Sequence, residues 1–275
     1  MIKLVAIDLD GTLVNDKKEL SLENIDAIKK AKEKGVYVIL ATGRPIEGLR
    51  KYYDLMYVPT LNDYACTFNG AVCLDVTNNK TIHTSFIKGE DVHLLASEVD
   101  KLGLGMHILT DRGCITPKNY KYIDLERSLN GIPLYEENLY DYPKDKDVIK
   151  FMIGDEPELL DAAIPKLPNY LYEKYNVVKS ATFYLEFLNK NCDKWIGIEK
   201  IAEHLGITKD EIMCIGDADN DLGMISNCGF GVAMENAFES VKKYAKFITK
   251  SNNESGVAYA INKFIKTDKK TPSSI

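Results

Sequence analysis

The chain has 275 residues, of which 45% are hydrophobic and 28% are charged, and its formal net charge is -6 at pH 7. This length allows two domains, because a single hydrophobic core rarely grows beyond about 250 residues. The acidic balance argues against a nucleic-acid binder. The opening apolar run stops at Asp8, far short of the ~18 residues that a membrane span needs. We therefore expect neither nucleic acid nor a membrane as a partner.

The first third of the chain reads as strands alternating with helices. Apolar runs at residues 4–7, 36–40 and 65–68 predict buried strands. Between the first two strands, Ser21 predicts the N-cap of a helix and Gly35 its end. Pro45 suits the first turn of another helix after the second strand. Such alternation is typical of a parallel sheet.

The middle of the chain, residues 84–182, interrupts this alternation. Its strands are irregular, and helices are indicated only at residues 91–102 and 157–167. We interpret it as an inserted α+β domain, because the strand–helix rhythm stops before it and resumes after it. The predicted division is a core of residues 1–83 and 183–275 around a second domain of residues 84–182.

The last third resumes the alternation. A helix is predicted at residues 195–205 with Gly206 at its end, and Thr208 and Glu211 match a capping box. Strands follow at residues 212–215 and 230–233. The final helix is predicted at residues 257–265, with a frayed tail from Lys266. The predicted fold class is therefore α/β, with a doubly wound parallel sheet and an inserted second domain.

Cysteine and histidine patterns give no sign of a zinc or redox site. The six cysteines show no C-x-x-C pair, and the four histidines show no ligand spacing. In the absence of a recognisable export signal, we expect reduced, mostly buried thiols in a cytoplasmic protein. The histidines are expected to be structural or surface residues.

Polar residues follow the predicted strands at the edge where parallel α/β sheets bind their ligands. The strongest signal is Asp8-Leu9-Asp10-Gly11-Thr12, since two carboxylates at the end of a buried strand are costly without a cation. The alternative is a polar strand end with two solvated aspartates. The second signal is Gly216-Asp217-Ala218-Asp219-Asn220-Asp221. Its acids suit a cation, but they also suit a helix N-terminus with no ligand.

Two weaker signals would matter only in company with the acidic segments. Thr42, Gly43 and Arg44 form a strand-to-helix turn that is able to cradle a phosphate, although such a turn is more often only a turn. Lys194 precedes a helix and could offer a charge to a phosphate, but a lone lysine is usually a solvated surface residue.

In this order along the chain, the four segments resemble the motifs of the haloacid dehalogenase (HAD) superfamily. Its D-x-D-x-T motif is matched by Asp8, Asp10 and Thr12, its second motif by Thr42 and its lysine motif by Lys194. Its G-D-x-x-N-D motif is matched by Asp217, Asn220 and Asp221. The insertion between the second and third motifs resembles the type IIB cap of Cof-type phosphatases. Residues 180–186 and 231–237 resemble the YidA-like sugar phosphatases of that group.

Two residues depart from the family pattern. Trp195 stands where members usually have glycine after the motif lysine, and Ala218 replaces a common glycine or glutamine. The tryptophan ring could change the mouth of the site or pack beneath it, whereas the alanine should matter little.

The resemblance implies a phosphatase that acts on a small phosphorylated metabolite through an aspartyl-phosphate. Asp8 would be the nucleophile and Asp10 the general acid and base. Mg²⁺ would be held by Asp8, the backbone carbonyl of Asp10, Asp217 and Asp221. The phosphoryl group would be held by Thr42, Gly43, Lys194 and Asn220. Supporting roles would fall to Thr12, Arg44, Asn69 and Glu186, and the cap would close over the site. For Arg44, Asn69 and Glu186 the alternative is a polar residue that is merely satisfied at the end of an element.

Other functions stay open at this point. A phosphomutase or phosphotransferase would share the aspartyl-phosphate, and a non-catalytic phospho-ligand sensor would share the scaffold. A nicotinamide dehydrogenase is disfavoured, because Asp8-Leu9-Asp10-Gly11-Thr12 stands where G-x-G-x-x-G would be needed. The resemblance leaves both monomer and homodimer open, and it does not name the metabolite.

Overall fold

The computed structural model describes residues 1–265, so the fraying predicted from Lys266 onward lies outside the described residues. The strands in chain order are β1 (Leu4–Ile7), β2 (Tyr37–Ala41), β3 (Tyr64–Thr67), β4 (Val72–Asp75), β5 (Lys80–Thr84), β6 (Gly105–Thr110), β7 (Gly113–Thr116), β8 (Leu134–Glu136), β9 (Lys150–Gly154), β10 (Tyr175–Ala181), β11 (Tyr184–Asn189), β12 (Ile212–Gly216), β13 (Phe230–Ala233) and β14 (Phe247–Ile248).

The helices are α1 (Leu22–Glu33), α2 (Arg50–Leu55), α3 (Gly89–Asp100), α4 (Lys121–Asn130), α5 (Pro157–Ala163), α6 (Asn169–Lys174), α7 (Lys194–Leu205), α8 (Leu222–Asn227), α9 (Glu239–Lys242) and α10 (Gly256–Phe264). Single 3-10 turns occur at Ile46–Gly48, Phe68–Gly70, Leu139–Asp141, Ile164–Lys166, Lys209–Glu211, Asp219–Asp221 and Asn252–Glu254.

The larger sheet has eight strands in the order β14-β13-β12-β1-β2-β3-β4-β5. The pairs from β14 to β3 are parallel, whereas β4 and β5 add antiparallel at one edge. All four residues of β1 are buried, as expected for a central strand that is covered on both faces. Helix α1 packs against α10, and α7 packs against α8 and the β3–β5 side. This architecture confirms the predicted α/β fold class.

Local signals in the sequence were good guides to the ends of elements. The backbone N–H of Asn24 donates to Ser21 Oγ at 3.2 Å, which confirms the N-cap of α1. Gly206 adopts the left-handed conformation at the end of α7, and the capping box of Thr208 and Glu211 is formed. The prediction that Pro45 lies in the first turn of a helix was wrong, since this residue precedes the single 3-10 turn Ile46–Gly48.

The second sheet has six strands in the order β10-β11-β9-β6-β7-β8 and is antiparallel except for the pair β7–β8. Its side chains alternate between two clusters, as the period of two along a strand requires. Phe151 and Ile153 pack with α3, α5 and α6, whereas Met152 packs with α4 and with Phe68 of the larger sheet's β3 turn. The second sheet therefore covers the region that follows β3.

The predicted domain boundary at residues 182/183 falls ahead of β11. The prediction therefore placed β11 in the core. In the structure this strand pairs with β9 and β10 and belongs to the second sheet. We propose to keep the division into core and inserted domain but to move the second boundary to the segment between β11 and α7. The first boundary, at 83/84, falls inside β5, one residue before its end, and stays a prediction.

All six cysteines are free and buried, as expected. Among residues 1–265, no helix combines the length and the apolar character needed to cross a bilayer.

Candidate active site

Asp8 and Lys194 form the buried centre of the site. Asp8 directly follows β1, and Lys194 is the first residue of α7, only 1% exposed. Lys194 Nζ donates to Asp8 Oδ1 at 2.5 Å and to Asp221 Oδ1 at 2.6 Å. The ammonium therefore joins the first and last thirds of the chain. The interpretation of Lys194 as a solvated surface residue is excluded by its burial.

The Asp-rich turn after β12 supplies two more carboxylates. Asp221 is fully buried, and its Oδ2 accepts from the backbone N–H groups of Asp217 at 2.9 Å and Ala218 at 3.1 Å. Asp217 Oδ1 accepts from Thr12 Oγ1 at 2.6 Å. The turn therefore has the capping bonds expected of a helix start, and in addition it presents carboxylates to Lys194 and Thr12.

The carboxylates of Asp8, Asp217 and Asp221 form one cluster whose ligand atoms all lie within 4.8 Å of one another. Burial, with the negative charges of Asp221 and Asp217, raises the pKa of the Asp8 carboxyl well above its usual range despite Lys194. Burial likewise raises the pKa of Asp217 to about 6. In the described part of the chain, the three carboxylates have only the Lys194 ammonium as an ion-pair partner, so the cluster carries excess negative charge. Carboxylate oxygens are also the ligands that hard divalent cations prefer. These residues therefore fit a bound divalent cation.

The side chain of Asp10 lies outside this cluster and is held by two cations. Arg44 donates from Nε at 2.7 Å and from Nη2 at 2.6 Å, and Lys18 Nζ donates at 2.8 Å. These bonds outweigh partial burial and lower the pKa of Asp10. Lys18 was missed by sequence reasoning. A signal that could have found it is Asn15, whose Oδ1 accepts from the N–H groups of Lys17 and Glu19, both at 2.9 Å, and so shapes the turn that carries Lys18.

Polar donors surround the open side of Asp8. Thr42 directly follows β2 and is buried, and its Oγ1 accepts from the Arg44 N–H at 3.2 Å. Asn220 Nδ2 donates to Asn69 Oδ1 at 3.1 Å, while Asn69 Nδ2 is buried without a hydrogen-bond partner among the described residues. An idle buried donor beside Asp8 and Thr42 suits an anionic ligand.

A cavity of about 400 Å³ joins these groups to the second sheet. Its wall on the larger sheet includes Asp8, Asp10, Thr42, Gly43, Arg44, Asn69 and Asn220. Its opposite wall includes Glu126, Lys150, Ser180, Ala181, Phe183, Tyr184 and Glu186. All the sequence-predicted phosphate residues except Lys194 therefore line the cavity directly. On the opposite wall, Glu186 is the residue that the sequence analysis named as a candidate site residue, and Ser180, Ala181, Phe183 and Tyr184 belong to the segment 180–186 that carried part of the family resemblance.

Two glycines allow the site to close around Asp8. Gly11 has φ +84°, and a Cβ there would lie 2.5 Å from Asp217 Oδ2. Gly70 has φ +102°, and a Cβ there would lie 2.1 Å from the carbonyl oxygen of Asp193, the residue before Lys194. Any side chain at these positions would combine backbone strain with a clash. Trp195, by contrast, is buried in the core of the larger sheet, so its ring packs beneath the site rather than at its mouth.

The sequence that builds this site is shared with a known family. A family model described as haloacid dehalogenase-like hydrolase matches residues 5–261. The chain belongs to this family. The match extends through both sheets, so the haloacid dehalogenase-like assignment covers the inserted domain as well as the parallel core.

Relatives of similar length carry phosphatase names. A phosphatase candidate of Streptococcus pyogenes serotype M6 is 39% identical over 269 residues, which cover 96% of this chain and 98% of the relative. The 5-amino-6-(5-phospho-D-ribitylamino)uracil phosphatase YcsE of Bacillus subtilis is 30% identical over 276 residues, which cover 96% of each chain. The prediction of an enzyme is confirmed, and the chain is a haloacid dehalogenase-like phosphatase.

Solved structures agree with the fold. A haloacid dehalogenase-like hydrolase from Bacteroides thetaiotaomicron superimposes with a TM-score of 0.84 at 31% identity, covering 96% of this chain and 99% of that one. A sugar phosphatase of HAD subclass IIB superimposes with a TM-score of 0.78 at 25% identity, covering 95% and 98%. The resemblance to HAD phosphatases with a type IIB cap is therefore confirmed.

Proposed function

We propose that this phosphatase hydrolyses small phosphorylated metabolites, most of all sugar phosphates, with Mg²⁺ and through an aspartyl-phosphate on Asp8. The observation that carries the proposal is the cluster of Asp8, Asp217 and Asp221, two of which bind the buried Lys194, beside an open cavity. A structural ion pair would need no cavity and no third carboxylate.

Mg²⁺ would be held by the carboxylates of Asp8, Asp217 and Asp221, and the backbone carbonyl of Asp10 remains a proposed further ligand. When bound, the cation would offset the repulsion between these carboxylates and a phosphate dianion. Thr12 would orient Asp217 through its 2.6 Å hydrogen bond. Such support of a ligand by a neighbouring hydroxyl keeps a metal site in shape.

Phosphate binding would use donors from three separate turns. Lys194 offers a buried charge, and its pKa is raised by Asp221 and Asp8 against the effect of burial, so it stays protonated. Thr42, Gly43 and Asn220 would contribute the hydroxyl, backbone and amide donors predicted from the sequence. Asn69 adds the unpartnered Nδ2, which gives it a binding role rather than only a supporting one. Positioning and electrostatics of this kind dominate catalysis of phosphoryl transfer.

The chemical steps follow from these positions. Asp8 Oδ attacks phosphorus, the P–O ester bond breaks, and the leaving oxygen takes a proton from Asp10. Water then attacks the phosphorus of the aspartyl-phosphate and loses a proton to Asp10, which releases inorganic phosphate and frees Asp8. Arg44 and Lys18 favour the carboxylate form of Asp10, which suits the second step. The first step therefore requires one of these cations to leave Asp10 when substrate binds.

The preference for sugar phosphates rests on similar proteins and on the size of the cavity. Names among the relatives and neighbours include a ribitylaminouracil phosphatase and a sugar phosphatase. The cavity size is in the range of small-molecule sites. We further propose a cytoplasmic enzyme, either monomer or homodimer, whose inserted domain closes over the substrate. A phosphomutase or phosphotransferase would show transfer to an added hydroxyl instead of release of phosphate.

The test is phosphate release from a panel of metabolite phosphates, with Mg²⁺ or with EDTA. Asp8→Asn keeps the shape of the side chain and removes the nucleophile, so it should lower turnover at least ~1,000-fold. The matched control is Asp219→Asn, because Asp219 is an exposed member of the same Asp-rich turn and lies outside the metal cluster. Wild-type turnover in Asp8→Asn, or full activity in EDTA, would refute the proposal.

A further inference from the structure

A second buried ionic cluster lies on the other wall of the cavity. Lys150 of β9 is 2% exposed, and its Nζ donates to Glu186 Oε1 of β11 at 2.9 Å. Glu126 of α4 approaches the same ammonium at 3.9 Å. The three residues come from separate elements of the second sheet and its helix, and all three line the cavity that contains Asp8.

Burying this cluster costs solvation free energy, and within residues 1–265 one of its oxygen atoms lacks a hydrogen-bond donor. Moving charges out of water is costly, and an apolar trio of the same size is often at least as stable. Glu186 is 4% exposed, and its Oε2 has no hydrogen-bond partner among the described residues. Buried polar atoms are normally satisfied, so an idle carboxylate oxygen in a cavity wall indicates a missing donor.

The charges of the cluster select the kind of group that completes it. A hydroxyl is able to donate to Glu186 Oε2 and also to accept from the Lys150 ammonium. A carboxylate ligand would be repelled by Glu186 and Glu126, and an ammonium ligand by Lys150. Phe183 and Tyr184 line the same wall and offer apolar surface to the carbon atoms that bear hydroxyls.

We propose that Lys150 and Glu186, supported by Glu126, bind the hydroxyl groups of the leaving group, so that the substrate is a polyhydroxylated phosphate ester. The inference rests on the proposed function, since the phosphate end of that ester is placed at Asp8. Lys150 and Glu186 are then specificity residues, because they bind the part of the substrate that is remote from phosphorus.

The test compares two esters in each enzyme variant. The first is the best substrate from a panel of hexose, pentose and alditol phosphates. The second is its analogue with hydrogen in place of the hydroxyls, such as (tetrahydropyran-2-yl)methyl phosphate for a hexopyranose 6-phosphate. Glu186→Gln should lower kcat/KM for the hydroxylated ester by about 10- to 100-fold, the loss expected for hydrogen bonds to a charged group. It should change kcat/KM for the analogue by less than about 3-fold, since that ester makes none of these bonds.

The comparison also needs a control variant and a substitute for Glu186→Gln. Glu158→Gln, at an exposed position of α5, should leave both values of kcat/KM unchanged. Should Glu186→Gln fail to fold by circular dichroism and thermal melting, the pair Lys150→Gln with Glu126→Gln removes one charge of each sign. That pair is expected to give the same loss of preference.

Each outcome bears on a separate claim. Equal losses on both esters would assign the cluster a structural role and overturn the inference, as would a wild-type enzyme that handles the analogue as well as the hydroxylated ester. An undiminished kcat/KM in Glu186→Gln would overturn it too, with the phosphatase mechanism intact. Failure of the wild type to release phosphate from any ester with Mg²⁺ would instead refute the proposed function.

Discussion

Replacing Lys194 by methionine should destabilise the fold as well as lower the activity. The substitution keeps much of the side chain's length but removes the ammonium 2.5 Å from Asp8 and 2.6 Å from Asp221. Two buried carboxylates would then face Asp217 without a counter-charge. Removal of one partner from a buried ion pair typically costs about 3–5 kcal/mol, a large part of the ~5–15 kcal/mol that stabilises a domain. Turnover should fall by about 100-fold or more, as when a single transition-state donor is lost.

The measurement is urea unfolding at pH 7.5, followed by circular dichroism, first in EDTA and then with Mg²⁺. In EDTA the full loss should appear, while Mg²⁺ should restore part of it by supplying charge to the same carboxylates. In an Asp8→Asn background the loss should shrink, with a coupling free energy of about 1–3 kcal/mol. Lys200→Met, at a lysine of α7 whose side chain is 40% exposed, should leave the urea midpoint unchanged. A Lys194→Met enzyme as stable as wild type in EDTA would show that the ammonium is not the counter-charge of the site.

Three further perturbations address other parts of the molecule. Burial, with the charge of Lys150, lowers the pKa of His107 from 6.5 to about 3. Below pH 6.5 the unfolded chain therefore binds a proton at His107 that the folded protein does not bind. As the pH is lowered, the free energy of unfolding should decrease by up to about 1.4 kcal/mol per pH unit. His107→Gln should flatten this slope between pH 6.5 and 4.5. Gly11→Ala should raise the Mg²⁺ concentration for half-maximal activity by about 10-fold or more, because the added Cβ would displace the carboxylate of Asp217, a proposed Mg²⁺ ligand. Arg44→Met removes two bonds that lower the pKa of Asp10, so the low-pH limb of the kcat profile should move to higher pH.

Each of these experiments has a control. His204→Gln, at an exposed histidine, should keep the wild-type dependence of stability on pH, and an unchanged slope in His107→Gln would contradict the first expectation. Gly35 has φ +80° like Gly11, but apart from Gly35 and its two chain neighbours no described residue has an atom within 4 Å of the point that a Cβ would occupy there. Gly35→Ala therefore reproduces the backbone strain without the clash. Equal Mg²⁺ requirements in the two alanine variants would exclude the steric argument. A low-pH limb that does not move in Arg44→Met would exclude Asp10 as the base.

The sequence was sufficient for residues whose position follows from a single strand. Asp8, Thr42 and Asp217 each follow an apolar run, and parallel strands bring their carboxyl ends to one edge. It was insufficient where burial decides the role. Lys150 and Glu186 are 36 positions apart in the chain, and each alone has the appearance of an ordinary charge on a strand. Only the pairing of the second sheet brings them together and excludes water from them.

The order of strands in the larger sheet has a consequence for biosynthesis. Strand β1, which ends directly before Asp8, lies between β2 and β12, with Leu4 opposite Ile212. Ribosomes add about 5–20 residues per second, so on the order of 10–40 s separate the emergence of these two neighbours. Throughout that interval one apolar edge of the nascent sheet lacks its partner, and such edges are templates for association between chains. Premature termination ahead of residue 212 should consequently give aggregates for proteolytic disposal, rather than a soluble fragment with residual catalysis.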